Sequence, residues 1–489
     1  MHNTGISSEL FTPFLAQQHP AGKPLPRYRM LFNYLQQGIM TGKLQPATKL
    51  PSSRELAQLL MLSRNTVKQV YEMLQAEGYI ETRHGAGSFV SPQLNISAGR
   101  ANKTSPQTST TIKLSLKSQQ IDQLRPLYSH DNKQLLLPAM PAIDQFPWPQ
   151  WQRSVASAGR EMKFSSLRDN QGSPELRREI ARYLTASRGI HCRMEQILIC
   201  SGSQQGMQLA FSMLLNPGDK VLAEDPGFPG IDGAISNAGG IKVSIPIDSN
   251  GFRADLAMQN SAGAKVAFIT PSRNFPIGYT LSLERRLALL QWARQNGSCI
   301  IEDDYDSEFR FDGPPLTAMQ GLGGDDCVIY SGTFSRILHP SIRLGYLVLP
   351  TALVDPFTRM RGFLDGGLSA LPQLALADFM AKGHFSSHLR RMRKLYKARR
   401  HYLLQQISEK FSDKLQWLAS DGGMHGVFLL SPDYDDQQIA EQAIARGLGI
   451  RPLSYYYDQE AAQSGLIIGF AGYDENQMDK GLKILSELL

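Results

Sequence analysis

The chain has 489 residues, 42% of them hydrophobic, and a net charge of +7. That length exceeds one compact core and requires several domains. No stretch reaches the roughly 18 uninterrupted apolar residues of a spanning helix, and the polar start MHNTGISSEL lacks the pattern of a secretory leader, so the chain is expected in the cytoplasm. Four cysteines, Cys192, Cys200, Cys299 and Cys327, show neither CxxC nor His/Cys ligand spacing, which argues against a disulfide framework or a zinc site.

The basic excess is concentrated at the front. Nine Lys/Arg stand against four Glu between Lys23 and Pro92, and the stretch to Gln120 adds four basic residues and no acidic one, as suits a part that meets polyphosphate. Leu31, Tyr34, Leu35 and Ile39 recur at helical spacing and predict a first amphipathic helix ending near Gly42. In LPSSRELAQLL, Ser52 followed by Glu55 is a capping box that opens a second helix, with Leu56, Leu59 and Leu60 as its buried stripe. Ser63 caps a third, in which Val67, Val70, Tyr71 and Leu74 form the apolar face and Arg64, Asn65, Thr66, Lys68 and Gln69 point away from it. Polar and basic groups at the start of the second of two closely linked helices suit insertion into a major groove. YIETR and SFV around the tip HGAG then predict a small hairpin, a wing whose Arg83 and His84 reach the backbone or the minor groove.

From Arg27 to Val90 these segments resemble the GntR family of bacterial regulators, in LPSSRELA, SRNTV, YEMLQAEGYIETRHGAGSFV and GKLQPATKLPS. The resemblance implies a winged helix-turn-helix over residues 1–92 with Arg54, Arg64, Asn65, Thr66, Lys68, Arg83, His84 and Gly85 on double-stranded DNA. Lys68 stands where arginine is frequent, so a phosphate contact is expected there rather than a bidentate base contact.

Residues 93–125 are rich in Ser, Thr, Gln, Asn and Lys with few large apolar side chains and are expected to form a flexible basic tether. The proline- and aromatic-rich arm LPAMPAIDQFPWPQW follows as an ordered part of the body, residues 126–489. Beyond Trp151 the runs QILIC, KVLAED, GIKVSIPI, KVAFITP, CIIEDDY, CVIYSG and RLGYLVLP alternate with helical patterns. This alternation predicts an α/β body with a mostly parallel sheet and ligands near its carboxyl strand ends.

Several motifs fall at those ends. SGSQQG turns from strand to helix, and is either a plain turn or a place where free amides and Ser203 hold a phosphate. IIEDDYDSEF sets Asp303 and Tyr305 after a buried strand, where a carboxylate and a phenol would serve a pyridine nitrogen and a ring oxygen. SGTFSRILHPSIRLGY offers Ser331, Thr333, Ser335 and Arg343 as a phosphate grip. Phe228 in EDPGFPG either stacks on a flat ring or belongs to the core.

The order of these segments, with QGSPELRREIARYL, TPSRNFPIG, GHFSSHLRRMRKLYKARR and RPLSYYY, resembles fold type I aminotransferases. With the GntR head, the chain is similar across nearly its full length to MocR-type regulators. The resemblance implies a homodimer formed through the body and a small-molecule effector sensed by it. It also implies pyridoxal phosphate or pyridoxamine phosphate as cofactor, with Ser203, Gln204 and Arg343 on the phosphate, Phe228 on the ring face, Asp303 on the ring nitrogen and Tyr305 on the ring oxygen.

The sequence departs from that pattern at Arg336, which occupies the position of the family's cofactor-anchoring lysine. A guanidinium stays protonated at any physiological pH and offers no neutral amine to an aldehyde, so transamination is expected to fail, and no lysine lies in the strand-end segments around the site. Arg273 and Asn274 stand where His and Gln are usual, LPAMP lacks the usual glycine, and Asp232 follows FPG where arginine is frequent. LIIGFAG is apolar where related enzymes place an arginine for a substrate carboxylate. Arg273 and Arg336 are expected to make the pocket electropositive and to favour a phosphorylated ligand held without a covalent bond. The leading expectation is a sequence-specific transcriptional regulator rather than an enzyme. The alternatives are an aminotransferase active by an unusual route and a regulator whose body makes only protein contacts.

Overall fold

Leu31, Phe32, Leu35 and Ile39 lie buried along one stripe of α1 (Arg27–Met40), as the 3.6-residue period requires. Ser52 closes a full capping box on α2 (Ser53–Leu59): its side chain accepts from the Glu55 amide at 3.2 Å and its own amide donates to the Glu55 carboxylate at 2.8 Å. Ser63 caps α3 (Arg64–Ala76), whose Val67, Val70, Tyr71 and Leu74 close the head's core. Strands β1 (Ile80–Arg83) and β2 (Gly87–Val90) pair antiparallel around a tip where Gly85 and Gly87 take φ of +72° and +105°, conformations that glycine adopts without strain. The winged helix-turn-helix predicted from the sequence is therefore present.

The computed structural model describes residues 11, 12, 14, 25–94, 115–126, 133–162, 169–458 and 462–489. The chain divides into two compact units, Met1–Ile112 and Lys113–Leu489. Inside the stretch expected to be a tether, Leu116–Ile121 forms a helix (α4) capped by Ser115. The rest of that stretch up to residue 114 lies outside the described residues, apart from Gln93 and Leu94. Composition predicts what cannot fold alone; it does not register a short helix that folds by docking on another surface.

Beyond α4 the body continues with α5 (Trp148–Glu161) and α6 (Pro174–Arg188). A large sheet follows, built from β3 (Ile197–Cys200), β4 (Lys220–Asp225), β5 (Ile241–Asp248), β6 (Gly251–Phe252), β7 (Ala264–Ile269), β8 (Cys299–Asp304), β9 (Val328–Thr333) and β10 (Gly345–Val348). Its order is β3-β10-β9-β8-β7-β4-β5-β6. The run from β9 to β5 is parallel, while β10 is antiparallel to both its neighbours and β6 to β5. All seven strand runs read from the sequence are present; six are almost continuously buried, as a sheet covered on both faces demands, while β5, near the sheet edge, is largely half-buried. Helices α7 (Ser203–Leu214), α8 (Asp232–Ala238), α9 (Ala254–Gln259) and α10 (Leu283–Asn296) make the crossovers.

The chain then runs through α11 (Val354–Asp365), α12 (Ala370–Ala381) and the 27-residue α13 (His384–Lys410). A second, antiparallel sheet closes the body: β11 (Leu415–Leu418), β12 (His425–Leu430), β13 (Arg451–Pro452) and β14 (Gly465–Gly469), in the order β11-β12-β14-β13, with α14 (Asp436–Ala445) and α15 (Glu475–Ser486). Among the described residues no helix is long and apolar enough to cross a membrane.

Candidate functional site

Strand ends of the large sheet and one edge of the second sheet enclose a cleft of about 280 Å³. Its lining includes Gly202, Ser203, Gln204, Phe228, Phe275, Thr333, Ser335, Arg336, Arg343, Arg451, Tyr455 and Tyr456, together with the strap Leu137–Ala139. A small recess below shares Ser203, Phe228, Phe275 and Arg336 and adds Thr270, Asp303 and Tyr305. The sequence-predicted Ser203, Gln204, Phe228, Asp303, Tyr305, Thr333, Ser335, Arg336 and Arg343 thus converge on one place.

At one end the chain turns from β3 into α7 through Gly202, at φ +81°, with no side chain capping the helix. Amides in the first turn of a helix have no intrahelical acceptor and carry the positive end of its dipole. A Cβ built on Gly202 would stand 3.6 Å from the Arg343 guanidinium carbon, an ordinary contact distance, so the guanidinium lies directly against this turn. Arg343 itself sits at φ +51°, in the left-handed region that a non-glycine residue enters at some energetic expense. The Ser335 hydroxyl is buried and has no partner among the described residues. Uncapped amides, a guanidinium and an unspent hydroxyl make a cup that fits a phosphate.

The floor is built on β8 and β9. Asp303 is buried and accepts from the Ser331 hydroxyl at 3.0 Å, its direct partner in the parallel register. Burial pushes the Asp303 carboxyl up to about 7 against the lowering effect of that bond, with Asp304 raising it and Arg336 lowering it further. Tyr305 is buried with its hydroxyl unpartnered, and burial followed by the Asp306 charge holds it well above the usual phenol range. Phe275 meets Phe228, Tyr305 and Tyr456 edge-on at centroid distances of 5.8, 5.7 and 5.3 Å. A flat heteroaromatic ring fits here, with a carboxyl and a phenol waiting for its polar edge. These residues fit a pyridoxal-type cofactor.

Arg336 is half-buried and lines both the cleft and the recess, its guanidinium carbon 5.8 Å from the Tyr305 ring centroid. No lysine is among the lining residues of either. Lys242 of β5 lines a different hollow and is tied to Asp232 at 2.9 Å and to Asp458 at 2.8 Å.

Two expectations are corrected. Ser331 is not part of the phosphate grip: it is buried at 0% exposure and spent on Asp303. Arg273 does not charge the cleft. It pairs with Asp306 at 3.4 Å, donates to the His425 carbonyl at 3.2 Å and lines a separate crevice with Arg188 and Arg310. The cleft's positive charge comes from Arg336, Arg343 and Arg451 instead, and Arg451 was not singled out from RPLSYYY because nothing in that run reveals which strand it adjoins.

In the head, Arg54, Arg64, Asn65, Lys68, Arg83, His84 and Gly85 are exposed. Arg64, Asn65 and Lys68 share the first turns of α3, where Thr66 is held by the Ser63 cap, its hydroxyl 2.8 Å from the Ser63 hydroxyl. On the wing, Arg83 binds Glu81 through Nε at 2.8 Å and lies 4.7 Å from the Phe89 ring centroid. Its guanidinium is thus held against the hairpin, while His84 and Gly85 form the free tip.

Residues 128–485 match the aminotransferase class I and II family, and residues 27–90 match the bacterial regulatory proteins of the gntR family. The chain is 34% identical to the probable rhizopine catabolism regulatory protein MocR of Rhizobium meliloti, over 94% of this chain and 93% of that protein. It is 30% identical to the HTH-type pyridoxine biosynthesis transcriptional regulator PdxR of Corynebacterium glutamicum, over 90% and 91%. Among solved structures, a kynurenine aminotransferase of Pyrococcus horikoshii superposes with a TM-score of 0.66 at 24% identity, covering 80% of this chain and 98% of that one. An archaeal alanine:glyoxylate aminotransferase gives 0.68 at 23%, covering 76% and 93%. These two establish the fold of the body.

Proposed function

The chain belongs to the family of regulators that join a GntR head to an aminotransferase class I and II body, and from that premise we propose that it is a sequence-specific transcription factor whose body senses a phosphorylated small molecule without covalent attachment. Arg336 carries this reading. It faces the recess beside Asp303 and Tyr305, and neither lining includes a lysine. A guanidinium neither attacks an aldehyde nor moves a proton at physiological pH.

Pyridoxal phosphate, when bound, supplies an electrophilic aldehyde and an electron-withdrawing ring. The amides of Ser203 and Gln204, the Ser335 hydroxyl and Arg343 would hold its phosphate, Phe228 would stack on its ring, and Asp303 and Tyr305 would face its ring nitrogen and ring oxygen. Arg336 adds a fixed positive charge that attracts the anion and leaves the aldehyde unreacted. The body acts as a receptor and not as an aminotransferase.

In the head, Arg54, Arg64, Asn65, Thr66 and Lys68 read or grip the major groove, and Arg83, His84 and Gly85 approach the flanking backbone. Two bodies pair to present two heads; the exposed Phe363 and Leu364 of α11, at 88% and 45%, and Trp148 at the start of α5, at 44%, offer apolar surface for a second copy.

One set of measurements on the purified full-length protein tests the reading. Pyridoxal phosphate is expected to raise the melting temperature and to be removed by dialysis, and borohydride is expected to fix no vitamin B6 mass to the protein. DNA binding is expected to be sequence-selective and to weaken with salt. Steady keto-acid production from an amine donor would overturn the receptor reading and favour an enzyme.

A further inference from the structure

The long helix α13 carries its charges in one sign. From His384 to Ser408 it holds seven Lys/Arg and no acidic residue, the first carboxylate being Glu409. Phe385, Leu389, Met392, Tyr396 and Leu403 turn into the core, and Arg399 is buried on the Ala471 carbonyl. The other side of the helix exposes Arg390, Arg391, Arg393, Lys394 and Lys397, as the 3.6-residue period dictates.

Little on that side neutralises the row. Arg391 donates to the Gln145 carbonyl at 2.7 Å and Arg393 to the Glu308 carbonyl at 2.9 Å, bonds that fix the two guanidinium groups and leave their charge. Arg390 reaches the Ser387 hydroxyl at 3.3 Å. Among the described residues one carboxylate pairs with the row, Asp312, and it is divided between Lys397 at 3.5 Å and Arg400 at 2.7 Å. Helices that serve only to be solvated mix both signs along their exposed side. Here Arg390 and Lys394, and again Arg393 and Lys397, stand four positions apart, a like-charge spacing that destabilises a helix. A polyanion lying along the row removes that repulsion.

We propose that the row from Arg390 to Lys397 is a second DNA-contacting surface, carried by the body, which grips phosphates of the duplex flanking the operator; this rests on the regulator reading above. The row spans about 10 Å of helix, the axial rise of about three base pairs. Between Ser386 and His401 no large apolar side chain is exposed, so nothing there inserts into a lipid surface or stacks on unpaired bases. A duplex backbone asks for neither, since it is met by positive charge alone. Once the head is bound, flanking duplex stands near the body at a high effective concentration. Contacts too weak to act by themselves then add affinity while carrying no sequence information.

The full-length double variant Arg390→Gln/Lys394→Gln tests the row, with Lys480→Gln/Lys483→Gln on the exposed side of α15 as a control that removes the same net charge elsewhere. The probe is a duplex that the wild type selects from a random-sequence pool, used in two lengths: trimmed to the selected core, and extended on each side by two helical turns of arbitrary sequence. The wild type is expected to bind the long duplex about tenfold more tightly than the core, with a salt slope steeper by at least about two. The double variant keeps its affinity for the core and loses both increments, while the control keeps them. Equal affinity of the wild type for the two lengths, increments that survive in the double variant, or increments that the control loses as well overturn the proposal and leave the head's role intact. Weakened binding of the double variant to phosphatidylserine vesicles, with DNA binding unchanged, assigns the row to membranes and overturns it too. Absence of sequence-selective binding to any duplex removes the regulator reading and this proposal together.

Discussion

Arg336 lies 5.8 Å from the centroid of the Tyr305 ring and, among the described residues, makes no hydrogen bond or ion pair. A guanidinium over a phenol face is held by the ring quadrupole, a weak tether that leaves its fork directed at the cleft. Replacing it by lysine restores a titratable amine at the same place. Arg336→Lys incubated with pyridoxal phosphate and borohydride is expected to gain one vitamin B6 mass at residue 336, where the wild type gains none. Peptide mass spectrometry reads the result, and an unmodified variant would remove residue 336 from the cofactor's reach.

The two polar ends of α3's first turns should behave differently on DNA. Arg64→Ala removes a fork able to read a base edge and is expected to cost about 1–3 kcal/mol on the cognate site with a loss of selectivity. Lys68→Ala removes a point charge and should weaken cognate and random DNA alike, lowering the salt slope by about one. Titrations against both DNAs at several salt concentrations distinguish the two patterns.

Asp303 gives the ligand-free protein a pH dependence of known sign. Burial lifts its carboxyl from the ordinary 3.8 to about 7, so the folded state binds this proton more tightly than the unfolded chain. The stability contributed by the protonated form is fully present below pH 4 and is lost as pH rises towards 7, at about 1.4 kcal/mol per unit of pKa difference. Asp303→Asn keeps an acceptor for Ser331 and carries no charge. Its melting temperature relative to wild type is therefore expected to climb between pH 5 and pH 8, and a flat difference would show that the carboxyl ionises at its ordinary value.

Seven of the eight strands of the large sheet were legible because each is a short, largely apolar run, the two-residue β6 being too short to show, and the head was legible because Ser52, Glu55 and Ser63 are caps that act within one turn. Ser331 was misread for a reason of depth. It shares a face of β9 with Thr333, so alternation cannot separate them, yet its register opposite Asp303 places it one pleat below the cleft. Arg273 was misread because loop charges go to whatever acid the fold brings near, here Asp306 from a strand end thirty-three positions away. Arg451 depends on the pairing of β13 with β14, a long-range fact with no local signature.

The segment Ser454–Asp458 links the cleft to the beginning of the body. Arg125 donates to the Tyr455 carbonyl at 2.6 Å and lies 3.4 Å from the Asp458 carboxylate, and the Tyr455 hydroxyl donates to the Pro126 carbonyl. Arg125→Ala is expected to change stability little, since exposed pairs contribute at most about 1 kcal/mol. On the receptor reading proposed above, it should reduce the change in operator affinity expected on adding pyridoxal phosphate. Equal ligand effects in wild type and variant would show that this contact carries no coupling.

Tyr455 and Tyr456 form part of the cleft wall, and the same short run fastens the stretch through which the polypeptide arrives from its N-terminal unit. On the receptor reading proposed above, a guest pressing on the aromatic side of this wall would displace the point where the incoming chain is moored, and news of occupancy would leave the body along the covalent backbone itself.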